Sequence, residues 1–183
     1  MLKLELDRSE VFPHEVAVIA GYSEGFLLPA SVIEHGERVD LVYENEGYIS
    51  LCAYGFRGEL GFVFRFLRAY LRCLRDAQDK LLRCEYIYSD GSMIFIRPAD
   101  DKVRLVFGYA ESGEPADNSY GQISRSLMPV LSELSGLNSI IGAKSAMSEL
   151  AKKIKYRNPG YSEALMLIEQ CERKWNIMQP PGL

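Results

Sequence analysis

The stretch GELGFVFRFLRAYLRCLRDAQDKLL (residues 58–82) decides the fold class. Its apolar residues Leu60, Val63, Phe64, Leu67, Leu71 and Leu74 recur at three- and four-residue steps, which places them on one face of an α-helix. Leu81 and Leu82 carry the apolar pattern on, so the spacing predicts one long helix from about Gly58 to Leu82.

Upstream the period is two. Leu2, Leu4 and Leu6 alternate with Lys3 and Glu5, and Val16, Val18 and Ala20 alternate again, which reads as two half-buried strands. Residues 26–33 form an apolar run broken by Pro29, a residue that cannot donate to a sheet ladder and so marks an edge or a bulge. The turn His35-Gly36-Glu37 leads into Val39, Leu41 and Tyr43; Asn45-Glu46-Gly47 turns again; residues 48–54 read as a further strand.

Downstream, residues 85–88 are short and apolar, and Asp90-Gly91-Ser92 breaks the chain. Residues 93–96 and 103–107 then form a hairpin around Pro98-Ala99-Asp100-Asp101. A turn-rich stretch over 111–118 precedes three predicted helices, at about 119–134, 139–155 and, after Asn158-Pro159-Gly160, 162–175. The expected class is α+β: a small β-rich lobe over 1–56, a helical lobe over 57–178 with a central β-hairpin at 93–108, and a tail or linker at 179–183. No βαβ alternation supports a doubly wound sheet.

With 183 residues, 48% of them hydrophobic and 25% charged, the chain has the composition of an average globular protein. A formal charge of −4 provides neither the basic footprint of a nucleic-acid-binding domain nor a polybasic membrane address. No apolar run is long enough to cross a bilayer, and the first seven residues are too polar for a signal peptide, so the expected location is the cytoplasm, without direct membrane insertion. Cys52, Cys73, Cys84 and Cys171 lack C-x-x-C spacing, and His14 and His35 are the only histidines. No metal site and no cofactor are expected.

Glycines Gly55, Gly58 and Gly61 lie where a predicted strand gives way to the long helix but match neither phosphate-binding glycine pattern. No Ser or Cys stands in a pattern with a His base and an orienting acid, so no catalytic residue is assigned. Arg65, Arg68, Arg72 and Arg75 do share one stripe of the helix and could take an acidic or phosphorylated protein partner, against the plainer reading of a solvated face balanced by Glu59, Asp76 and Asp79.

The segments LLRCEYIYSDGSMIFI (81–96) and DKVRLVFGY (101–109) follow the order helix, loop, hairpin, Phe-Gly. That order resembles protein kinases, where a helix runs into the catalytic loop and then into short strands ending in Asp-Phe-Gly. Matched residue by residue, Tyr88 stands at the position of the base Asp, Met93 at that of the catalytic-loop Asn, and Val106 at that of the metal-binding Asp before Phe107-Gly108. A nucleotide-holding glycine loop and a V-A-I-K lysine are also missing from the first third.

Together with GFLLP (25–29) and the strand Ile94-Phe95-Ile96, these segments resemble a bacterial domain of unknown function. That domain occurs in Gram-positive organisms, N-terminal to forkhead-associated domains. More distantly they resemble the kinase-like cytoplasmic domain of the EssB proteins of type VII secretion. Arg83 and Glu85 depart from the Asp and Asn of that pattern. The resemblance implies a degenerate protein-kinase-like fold acting as a non-catalytic intracellular scaffold or protein-interaction module in a signalling, secretion or pilus-type system. The alternative is a nucleotide-binding switch or enzyme using Asp90, Asp100, Asp101 and the glycines near Gly58. A structural subunit that oligomerises is a third reading, and it would expose an apolar patch on the strand-rich lobe.

Overall fold

The computed structural model describes residues 1–21, 25–56, 59–108 and 121–178. The expected turn-rich stretch at 111–118, the tail at 179–183, Gly58 and Tyr109 lie outside these. The described part is mixed α and β, with five α-helices and two small antiparallel sheets, in agreement with the α+β expectation.

The chain divides into two compact units, Met1–Tyr54 with Arg72–Glu114, and Gly55–Leu71 with Pro115–Leu183. The hairpin at 93–108 groups with the strands of the first unit, whereas the sequence reading sets it among the helices. The physical reason is pairing: its first strand bonds to residues 49–50, from the strand-rich third of the chain.

In the first unit, β1 (Leu2–Asp7), β2 (Ala30–His35) and β3 (Arg38–Tyr43) form an antiparallel sheet with β3 in the middle. Val39, Leu41 and Tyr43 of β3 alternate into the core and are fully buried. Gly36, at φ +60°, makes the β2–β3 turn. Between β1 and β2 the structure corrects the predicted second strand: Pro13–Gly21 is a helix, α1. Proline suits the first helical turn, the Glu15 carboxylate reaches back to the Phe12 N–H at 3.0 Å, and Glu15 and Ile19, four residues apart, are the buried positions. The Val16, Val18, Ala20 alternation is incidental to that face.

The predicted strand at 48–54 shrinks to β4 (Ile49–Ser50), because the chain turns at once: the Ala53 and Tyr54 N–H groups donate to the Ser50 carbonyl at 3.0 and 2.9 Å. β4 pairs with β5 (Phe95–Arg97), which pairs with β6 (Lys102–Arg104).

The long helix is α2 (Leu60–Asp79), which contributes its residues up to Leu71 to the second unit and the rest to the first. It stops short of Leu82. Leu81 adopts φ +60°, its N–H donates to the Gln78 carbonyl and the Leu82 N–H to that of Ala77, a helix-ending motif that usually employs glycine. Leu81 is consequently 74% exposed and leaves the apolar face on which the periodicity places it.

In the second unit, α3 (Gln122–Ser135), α4 (Ala143–Arg157) and α5 (Tyr161–Met178) join the first part of α2. α3 and α4 are an antiparallel pair, tied at one end by the Gly121 N–H donating to the Asn158 side-chain oxygen at 2.5 Å. α4 begins at Ala143 and not near Ser139 because Gly142, at φ +82°, is left-handed and cannot be helical. The Tyr70 hydroxyl donates to the Ser126 carbonyl at 3.1 Å, and Arg68 pairs with Glu172 of α5.

Candidate interaction surfaces

The positions that the sequence reading matches to protein kinases fall in the first unit, around the segment 105–108. Leu105 exchanges main-chain bonds with residues 26–28 on one side: its N–H donates to the Phe26 carbonyl and its carbonyl accepts from Leu28, both at 2.9 Å. On the other side the Tyr88 N–H donates to the Val106 carbonyl at 3.0 Å and the Gly108 N–H to the Tyr86 carbonyl at 2.7 Å. Beyond Leu28 the neighbouring chain departs into β2, where Ala30 pairs with Tyr43. The Tyr43 hydroxyl takes over, donating to the Phe107 carbonyl at 2.7 Å and accepting from the Phe107 N–H at 3.2 Å. Burial holds the Tyr43 phenol well above its ordinary pKa, so it stays a neutral hydroxyl able to do both.

Tyr88 and Val106 are therefore brought together, through their backbones. Val106 is completely buried. Met93 lies in the turn before β5, its N–H donating to the Asp90 carbonyl at 3.0 Å. The acids named for the alternative reading are engaged in turns. Asp90 accepts from the Ser92 N–H and hydroxyl, Asp100 is held by Arg97 and Lys102, and Asp101 accepts the Tyr54 hydroxyl at 2.7 Å. The Arg97 guanidinium holds the Asp100 carboxyl far below the usual range. Among the described residues no three His, Cys, Asp or Glu side chains group as a metal site.

One ion pair in this unit joins a buried acid to a partly exposed arginine. Glu15 of α1 is wholly buried, and Arg83, after α2, grips it with Nε at 2.9 Å and Nη2 at 2.7 Å while its guanidinium lies between the Phe12 and Tyr86 rings, 4.2 and 4.0 Å from their centres. Burial pushes the Glu15 pKa up, and the Arg83 and backbone hydrogen bonds outweigh it, leaving the carboxyl below its ordinary value. The departure at Arg83 from the resembled pattern is thus half of a bidentate pair.

The four arginines of α2 occupy about a quarter of the helix circumference, as their spacing predicts, but differ in state. Arg68 is spent on Glu172. Arg75 sits beside Asp76 at 3.2 Å and Asp79 at 3.9 Å. Arg65 is exposed and lies over the Phe62 ring at 3.9 Å; Arg72 is exposed and has no ion pair among the described residues.

A surface missed by the sequence reading lies in the second unit. α3 and α4 leave a groove of about 230 Å³ along their seam, floored by Leu131 and Met147, with Ser132 and Ser135 on one wall and Ser148 and Ala151 on the other. The small side chains keep it open. On α4 the wall belongs to the row Lys144, Ser148, Ala151, Lys155, at steps of four, three and four, so both lysines continue the groove's edge. The signal was present as serines and an alanine at helical spacing opposite methionines, but a helix pair must be known before such a row has a partner.

No known family profile and no curated protein matches the chain in sequence. Among solved structures it is distantly similar to the ESSB cytoplasmic fragment of Staphylococcus aureus, at 12% identity and a TM-score of 0.45 over 91% of this chain and 90% of that one. No described helix is long and apolar enough to cross a membrane.

Proposed function

We propose that this chain is a non-catalytic protein-interaction module, a scaffold on a degenerate kinase-like fold that works inside a bacterial cell in a signalling, secretion or pilus-type system and takes an acidic or phosphorylated protein partner. The observation that carries this reading is the state of α2: after Arg68 and Arg75 have met their acids, Arg65 and Arg72 remain exposed on one helix. Guanidinium groups of this kind suit carboxylate and phosphate by paired hydrogen bonds. The side chains at the three matched positions support the non-catalytic half of the reading, since Val106 is aliphatic and fully buried and neither Tyr88 nor Met93 carries a carboxylate or an amide.

The test is a pull-down from the native host with the wild-type chain and with Arg65→Glu/Arg72→Glu. A specific protein recovered by the wild type and lost from the double variant, with its melting temperature unchanged, is the expected result. Equal recovery by both chains, or nucleotide turnover by the purified protein, overturns the reading.

A further inference from the structure

The groove between α3 and α4 is edged on its α4 side by two exposed lysines. The chain carries a formal net charge of −4, yet the row Met128, Ser132, Ser135 on one wall and the row Lys144, Ser148, Ala151, Lys155 on the other contain no acid. Lys144 and Lys155 are exposed and have no ion pair among the described residues, whereas Lys153 on the other flank of α4 is tied to Glu149 at 2.9 Å. Lys155 lies eleven positions after Lys144, about 16 Å along the axis, or three helical turns.

We propose that this groove receives an acidic amphipathic helix of a partner protein. The inference rests on the reading of the chain as an interaction module and adds the partner's chemistry. At about 230 Å³ the groove is smaller than pockets that enclose small ligands, and it suits a few apolar side chains projecting from one face of a helix at i, i+3 or i+4, and i+7. Met128, part-exposed, supplies an adaptable apolar contact over the buried floor of Leu131 and Met147, and Ser132, Ser135, Ser148 and Ala151 let a backbone come close. Carboxylates about three turns apart on the incoming helix meet Lys144 and Lys155, which selects acidic over basic helices and gives the contact its salt dependence.

The test pans a phage-displayed library of amphipathic helical peptides on the full chain and measures the winners by fluorescence anisotropy. The expected result is enrichment of helices with apolar residues at i, i+3 or i+4, and i+7 flanked by Asp or Glu. Their binding falls at least tenfold with Ala151→Trp or Ser148→Trp, which fill the groove. It falls severalfold with Lys144→Glu/Lys155→Glu, and it is unchanged by Arg65→Glu/Arg72→Glu. Two groove-filling positions guard against one variant misfolding, and each is checked by its melting curve. The inference is overturned by no enrichment, by winners without an acidic bias, by binding that survives groove filling in folded variants, or by anionic lipid vesicles occupying the groove instead. Peptides lost only with Arg65→Glu/Arg72→Glu sink the groove while leaving the interaction-module reading intact.

Discussion

The Tyr43 hydroxyl bonds both main-chain groups of Phe107, accepting from its N–H at 3.2 Å and donating to its carbonyl at 2.7 Å. One side chain of β3 thus stands in for the neighbouring chain that departs after Leu28, and the fully buried Phe107 has both main-chain groups paired. Tyr43→Phe keeps the ring and leaves two buried polar groups without a partner. A loss of about 2 kcal/mol is expected, a fall in Tm of roughly 4–8 °C for a chain of this size. An unchanged melting curve would show that water or a shifted backbone replaces the hydroxyl.

Glu15 and Arg83 predict a larger loss. Glu15 is wholly buried while the Arg83 side chain is 24% exposed, so the large cost, roughly 3 kcal/mol or more, falls on a Glu15 carboxylate left without its arginine. Arg83→Ala is expected to melt well below the wild type, and Arg83→Lys, which keeps the charge and loses the bidentate contact, lies between the two. Chemical denaturation of both variants measures this, and Arg83→Ala at wild-type stability would contradict it.

Thiol chemistry separates the four cysteines. Burial raises Cys73 and Cys84 to about 12 and Cys171 to about 11, while Cys52 is exposed. At pH 8 the native protein should therefore give up one rapidly alkylated thiol, and all four after denaturation. Mass spectrometry of the labelled chain identifies the site, and Cys52→Ser should abolish the fast phase.

Glu149 sets an acid-side dependence in the second unit. Hydrogen bonds from Lys174 at 2.7 Å and Lys153 at 2.9 Å pull its pKa down to about 2 from the ordinary 4.5. As pH falls, the unfolded chain takes up this proton first, so the stabilisation is complete above about pH 5 and is lost between about 4.5 and 2. The stability gap between wild type and Glu149→Gln is expected to be constant near neutrality and to shrink over that acid window. A gap that is flat throughout would contradict it.

Much of the fold is legible in local pattern, and what is not legible is set by tertiary contact. The helical period over 60–74 and the turns at Gly36 and Asp90 state their structure directly. Pro13 and Glu15 were also readable as a helix start, but the two-residue alternation of Val16, Val18 and Ala20 competes with them, and only the burial of Glu15 against Arg83 decides. Leu81 misleads because a leucine occupies a position that glycine usually takes. The arginine stripe is visible as spacing, yet Arg68 finds its acid 104 residues away at Glu172, a pairing that no local rule anticipates. The groove between α3 and α4 needs both helices in place before its serines and lysines have a common edge.

The claim that this chain binds a partner and does not process nucleotide is tested most directly by melting the purified protein in increasing ATP with magnesium. A ligand of the native state raises stability by mass action, about 2.7 kcal/mol at a hundred times its Kd. The account predicts a Tm that stays constant across the titration, with no nucleotide consumed. A concentration-dependent rise, or release of phosphate, would contradict it.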